Sequence, residues 1–447
     1  MLEGPLFGNI IVYTVPIIFT GLLQLLFNAA DLVVVGRFCG SVSVAAVGAT
    51  GSITNLIINL FIGLSVGAGV MVAHGLGAED HKTVHETVHT AVPTAVLSGL
   101  FLTAVGLLFS HRLLELMGTP ADVIALSSVY MRIYFCGMTA SMVYNFGASI
   151  LRAAGDTRSP LVFLSAAGVL NVILNVFFVM ALHMDVAGVA LATVISQLLS
   201  AILVMLALMK RDDACRFFPK ESRIRKERLV GIVRIGLPAG IQGSLFSISN
   251  VIIQSSVNSF GSVVMSGNAA AQNIEGFVYV AMNAFQQTAV NFVGQNDGAK
   301  KYGRIRRVSL YCLLSVAAVG LLLGVLGRVF AEQLLSIYIT DSAEAIHYGV
   351  IRLTYICLPY CLCGIMDVMT GILRGLGASL SPMLISVIGI CGFRILWIFT
   401  VFRIPAFHTP AVLYSSYTIS WVATFLAELV SYLAMMNRRT KKAAAQP

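Results

Sequence analysis

The sequence predicts an all-α polytopic membrane protein, with twelve transmembrane helices in two pseudo-symmetric six-helix lobes. Three observations carry this. The chain of 447 residues is 57% hydrophobic and 11% charged, with a mean hydropathy of +0.88. A water-soluble domain has about 45–50% apolar and about 25% charged residues, so this chain has too little charge for a water-facing surface. Its apolar residues fall in runs long enough to cross the hydrocarbon, which takes about 20 residues per helix. Finally, the second half of the chain repeats the first.

The spans follow in order. The first, about 9–35, has no basic start and is too long and too polar-studded for a cleavable signal, so it stays as a membrane helix. "FCGSVS" closes it. The second, about 45–73, ends at "GLGAEDHK", the third, 88–109, at "HRLLELMGTPAD", and the fourth, 122–150, at "RAAGDTRSP". Spans at 160–182 and 186–209 complete a first lobe, 1–209. The polar stretch "KRDDACRFFPKESRIRKER" is too short for a domain and reads as a linker, 210–229. Spans at about 230–257, 264–293, 308–327, 343–372, 382–402 and 410–435 make a second lobe, 230–437, followed by a basic tail, 438–447.

Charge sets the orientation. The net charge is +9, which in a soluble chain would raise the question of nucleic acid; here its distribution matters more. Twenty-one Lys and Arg fall on the side of the linker and termini, and four (Arg37, Arg112, Arg328, Arg403) on the other. The positive-inside bias therefore puts both termini and the linker in the cytoplasm of a cell with the protein in its cytoplasmic (inner) membrane. No nucleic-acid partner is expected. The eight Cys are scattered through apolar runs, and Cys361-x-Cys363 lacks a second pair at metal spacing, so they read as small buried hydrophobes.

The repeat is legible residue by residue. "ILRAAGDTRSP" (150–160) aligns with "ILRGLGASLSP" (372–382), and "TVPIIFTGLLQLLFN" aligns with "IGLPAGIQGSLFSISN". The second alignment pairs Pro16 with Pro238, Gly21 with Gly243 and Asn28 with Asn250. "VAHGLGA" aligns with "VGQNDGA". Six spans per half give both copies the same orientation. Parallel repeats of this kind recur in transporters, with substrate between the halves and alternating access by rocking.

At this point the chain resembles a known family, the multidrug and toxic compound extrusion (MATE) transporters of the multidrug, oligosaccharidyl-lipid and polysaccharide flippase superfamily. Three features carry the resemblance: Pro16 followed by "FNAADLVVVGRFCG" in the first span, "VGQNDGAKKYGRIRR" after the eighth, and "GILRGLGASLSP" after the tenth. It extends over nearly the whole chain. It implies two six-helix lobes around a central cavity, and export of drugs or metabolites driven by inward Na⁺ or H⁺.

Ionisable residues inside a membrane are costly and are functional hypotheses by default. Asp31 lies deep in the first span and matches the family's first-span acid. Desolvation and hydrogen bonding act on a carboxyl in opposite directions, and a group held between them can exchange a proton or Na⁺. Asn171 and Asn175 share a face of the fifth span, with Thr193 and Gln197 on the sixth. These either complete a cation site with Asp31 or act as interhelical polar glue. Some relatives carry an Asp where this chain has Asn175, so one carboxylate of that pattern is missing. In the second half, Glu275, Asp367 and Arg394 are coupling or substrate-binding candidates, with satisfied structural pairing as the alternative; Arg394 can pair with Asp367. Relatives that couple in this lobe carry a Glu on span 7, which "GSLFSISN" lacks. Pro16 and Pro238 interrupt their spans by removing a backbone donor and mark conformational bends.

One motif points elsewhere. His85-Glu86-Thr87-Val88-His89 matches the H-E-x-x-H of zinc hydrolases, in which two His one turn apart bind the metal and Glu is the base. Sequence shows no third ligand, and the repeat places Arg306, Arg307 and Leu310 opposite His85, Glu86 and His89. The motif therefore reads as the polar start of a helix, and no enzyme, no metal site and no cofactor beyond the coupling ion is expected. The remaining expectation is a monomeric, cation-coupled exporter of small amphipathic organic cations, working in the bilayer. Its alternative is a lipid or lipid-linked sugar flippase of the same superfamily, disfavoured because intramembrane Arg is sparse. A membrane zinc hydrolase is the remote alternative.

Overall fold

The computed structural model describes residues 1–340 and 342–444; the last three residues of the proposed tail, and the side chain of Lys442 within it, lie outside the described part. Every long element is helical, and no strand occurs among the described residues. The helices are α1 (Leu6–Phe38), α2 (Ser41–Gly77), α3 (His81–Leu116), α4 (124–153, broken at Gly137), α5 (Arg158–Ala181) and α6 (Asp185–Met209). After the linker come α7 (Lys226–Asn258), α8 (Ser262–Gly298), α9 (Tyr302–Val329) and α10 (Ala343–Cys357 with Tyr360–Gly375). The last two are α11 (Leu380–Arg403) and α12 (Pro410–Ala444). Among the described residues nine of these are single helices long and apolar enough to cross a membrane, and α10 is a bent pair that passes as one span. With α4 and α8 they account for the twelve expected spans.

Local chemistry explains where the helices stop. Asp80 caps α3, its side chain accepting from the Thr83 amide at 3.0 Å and the Thr83 hydroxyl at 2.6 Å. That hydrogen bonding holds the Asp80 carboxyl below its usual range. Gly40 and Gly261 precede α2 and α8 with φ of +93° and +95°, a conformation glycine adopts without penalty. They are repeat equivalents. So are Gly155 and Gly377 (φ +94° and +77°), and Glu79 and Lys300 (φ +55° and +56°). The duplication is thus present in the backbone, turn by turn. The breaks of α4 at Gly137 and of α10 beside Pro359 fall at equivalent positions too.

The chain forms two compact units, one of Phe19–Ser244 and one of Met1–Ile18 with Leu245–Pro447. The boundaries fall inside α1 and α7, a few residues after Pro16 and Pro238. In the N-terminal unit the start of α7 packs on α2 through glycines. A Cβ on Gly63 would lie 2.3 Å from the Gly240 nitrogen, and one on Gly67 2.2 Å from the Ile232 carbonyl oxygen. In the C-terminal unit the start of α1 packs on α8, where Thr14 and Thr288 share a 2.8 Å hydrogen bond and Tyr13 meets Phe292 edge-on. Thr14 and Thr288 are the repeat equivalents of Gly236 and Gly67, so the same crossing is sealed by small residues in one unit and by hydroxyls in the other.

Candidate functional site

In the N-terminal unit the site is built on α1, α5 and α6. Phe27 of α1 lies against Gly168 of α5, where a Cβ would fall 1.8 Å from the ring. That close approach brings the next turn of α1 onto the next turns of α5. Asp31, one turn beyond Phe27, then meets Asn171 and Asn175, which follow Gly168 on the same face. The Asn175 amide donates to Asp31 Oδ1 at 2.5 Å and lies 3.1 Å from Asn171 Oδ1. The Asn171 amide donates to Thr193 Oγ1 at 3.4 Å, and Thr193 also hydrogen-bonds Asp31. All four residues named from the sequence are therefore brought together.

The site is oxygen-rich. Asn171 and Asn175 are buried. The Oδ1 of Asn175 and the Oε1 of Gln197 are buried acceptors with no hydrogen bond from the protein. Gln197 lies one helical turn beyond Thr193 on α6 and hydrogen-bonds Tyr134 of α4. Tyr130 and Tyr134 of α4 stack with centroids 6.0 Å apart, and both sense the Asp31 charge. One carboxyl with amide and hydroxyl oxygens around it can hold a proton or a small cation.

In the C-terminal unit the acids divide. Glu275 is locked by Arg352, whose Nε and Nη2 reach its two oxygens at 2.9 and 2.8 Å. Arg352 also donates to Asn268 Oδ1 at 2.7 Å, and the Tyr414 hydroxyl donates to the same oxygen at 3.0 Å. This is the structural pairing weighed for Glu275, supplied by an Arg of α10. Asp367 is buried, with Oδ2 receiving no hydrogen bond. The cation acting on it is Arg374, two turns along the same helix, rather than Arg394. Arg394 instead sits 3.8 Å over the Tyr417 ring and donates to Ser420 at 3.1 Å. The pairing of Arg394 with Asp367 open at the sequence level is thus replaced by an aromatic one, with α12 offering Arg394 a π-face and a hydroxyl. Sequence reading missed Glu428 of α12 altogether. A lone acid in "FLAELVSYL" was the available signal.

The H-E-x-x-H segment has a carboxylate beside its histidines, and its own Glu is engaged elsewhere. Donor atoms of His85, His89 and Glu221 lie within 4.8 Å of one another, so the linker brings a third group of ligand type that sequence spacing did not reveal, with Glu221 3.2 Å from His85 Nε2. His89 is already engaged: Nδ1 donates to the His85 carbonyl at 2.8 Å and Nε2 accepts the Phe218 amide at 3.0 Å. Glu86 is turned to Arg228 and Arg225, at 3.0 and 3.4 Å. With its carboxylate held by two guanidinium groups, Glu86 is not placed as a general base. The segment clasps the linker to α3.

Comparison with known proteins completes the picture. The MatE family model matches residues 16–177 and 238–400, one match per repeat. A probable multidrug resistance protein of Bacillus subtilis strain 168, YoeA, is 29% identical over 391 residues, covering 86% of this chain and 84% of its own. The multidrug export protein MepA of Staphylococcus aureus strain MRSA252 is 21% identical over 432 residues, covering 96% and 94%. A solved structure of a multidrug resistance MATE family transporter of the MOP superfamily, in an outward-facing conformation, superposes with a TM-score of 0.89 at 22% identity, covering 98% of each chain.

Proposed function

The chain belongs to the MatE family of membrane transporters, not to any enzyme class, and we propose that it is a secondary active exporter of amphipathic organic cations. Efflux is driven by the inward flow of H⁺ or Na⁺, from a cytoplasmic membrane with both termini and the linker inside, and by a monomer. The names of its relatives, multidrug resistance and export proteins, support the efflux reading. The observation that carries the mechanism is Asp31 with Asn175, Asn171 and Thr193 around it.

The chemistry follows from charge. An ionised Asp31 attracts either a coupling cation or a cationic substrate, and one carboxyl does not hold both equally well at once. Competition then makes transport an exchange: the coupling ion displaces substrate outside, and substrate displaces the ion inside. Pro16 and Pro238 lie within continuous helices close to the points where α1 and α7 pass from one unit to the other, so a bend there accompanies the exchange. A flippase for diphosphate lipids needs uncommitted intramembrane cations. Arg352 and Arg394, two of the buried Arg side chains, are spent on Glu275 and on Tyr417. No metal is required.

Expression in a host lacking its own exporters tests this. The wild-type chain lowers accumulation of a fluorescent lipophilic cation such as ethidium, and Asp31→Asn at equal membrane abundance does not. Normal efflux by that variant contradicts the assignment. Metal analysis of the purified protein tests the second point, where stoichiometric zinc would contradict a cofactor-free transporter.

A further inference from the structure

Glu428 of α12 has no role in the exchange described above, yet it is fully removed from solvent. Its Oε1 accepts hydrogen bonds from Thr370 of α10 at 2.7 Å and Ser386 of α11 at 3.0 Å. Its Oε2 is buried and receives none. The face of α10 opposite it is charged. Asp367, Thr370 and Arg374 follow one another at spacings of three and four residues, so they share one stripe, with the Thr370 that contacts Glu428 at its centre. Both Asp367 and Arg374 act electrostatically on Glu428. Tyr279 of α8 is close enough to sense the charges of both Asp367 and Arg374. The Oδ2 of Asp367 is a second buried carboxyl oxygen without a hydrogen bond.

Charge counting decides what this cluster holds. With both carboxyls ionised, two negative charges face one guanidinium in a place without solvent. An uncompensated buried charge is expensive, and a single bound proton removes it. Arg374 stays charged and acts more strongly on Asp367 than on Glu428. Glu428 is therefore the acid left to be neutralised. The proton fits its Oε2, with Oε1 as the carbonyl oxygen accepting both hydroxyls. A metal ion fits badly, because the guanidinium repels it and both hydroxyl hydrogens are turned toward the carboxyl.

We propose that Glu428 carries an exchangeable proton, a protonation site in the C-terminal unit additional to Asp31, which loses its proton to water and regains it in the transport cycle. This rests on reading the chain as a coupled exporter. The test is pH-difference infrared spectroscopy of the full-length protein in lipid, beside efflux from the same vesicles. Wild type and Asp31→Asn should both show a carboxylic-acid carbonyl band that Glu428→Gln lacks. Thr370→Val and Ser386→Ala should each keep that band and move it to higher frequency, since each removes a hydrogen bond to the carbonyl oxygen. Efflux by Glu428→Gln should fall at least tenfold. A Glu428→Gln spectrum identical to wild type overturns the proposal, as does a band unmoved in both hydroxyl variants, which remain informative if Glu428→Gln fails to fold. Normal efflux by Asp31→Asn would instead overturn the exporter reading, whatever the spectra show.

Discussion

Asp31 and Glu275 are both acids in apolar helices, and their surroundings differ. Glu275 has a bidentate guanidinium partner that also donates to Asn268, so its two oxygens are committed to an ion pair. Glu275→Ala leaves Arg352 buried without a counter-charge, which costs about 3–5 kcal/mol. Thermal unfolding of the purified protein should show a clear loss of stability, while Asp31→Asn should leave the midpoint nearly unchanged. Asp31 has amides and a hydroxyl around it and no guanidinium hydrogen-bonded to it among the described residues, which is the setting the proposed exchange requires. From sequence the two acids look alike, because hydropathy reports that a charge lies in a span but not which residue of another helix lies opposite. Asp31 was legible through its place in the first span. The Arg352 partner of Glu275 lies 77 positions away, and no spacing rule reaches that far.

Elements were legible where hydrophobic length alone sets them. All twelve spans are helices, since an apolar run in lipid has little choice but to satisfy its own backbone hydrogen bonds; most ends fall within a few residues of the readings, but α3, α9 and α12 continue into polar flanks beyond the apolar run that marked them. What escaped was contact between elements. Gly168 reads as one more glycine in a span, yet it admits the Phe27 ring and so sets the distance from Asp31 to Asn175. Gly168→Leu should destabilise the protein by about 1–3 kcal/mol through overpacking and abolish efflux with Asp31 intact. Dye accumulation together with thermal unfolding checks both effects.

The linker is the other case. It read as a polar spacer, yet Phe218, Arg225 and Arg228 fasten it to His89 and Glu86. His89→Ala removes the acceptor of the Phe218 amide. Exchange at that amide should quicken about fivefold, the equivalent of one hydrogen bond of about 1 kcal/mol. The linker also has an acid-sensitive turn, in which Arg211 hydrogen-bonds Asp213 at 2.9 and 3.0 Å and holds its carboxyl below the usual range. A depressed folded value stabilises the turn above the unfolded carboxyl value of about 4 and loses that stabilisation as pH falls through the lowered one. Hydrogen exchange of residues 211–215 as a function of pH should show protection lost only at the acid end.

At the scale of the molecule the duplication organises everything else. Pairs of equivalent residues repeat the same left-handed backbone turns, and the starts of α1 and α7 make equivalent crossings onto α8 and α2. The two copies have diverged in chemistry. The N-terminal unit keeps one acid among amides, and the C-terminal unit keeps several acids with arginines among them. The repeat could be read from short motifs because its turns need glycine at fixed positions. The divergence could not, because it depends on which side chains converge. The most direct test of coupled export through Asp31 is transport of a lipophilic cation in proteoliposomes under pH and Na⁺ gradients imposed separately. Wild type should move the cation against its gradient under at least one of them, and Asp31→Asn under neither. Uphill transport by Asp31→Asn, or wild-type transport indifferent to both gradients, would contradict it.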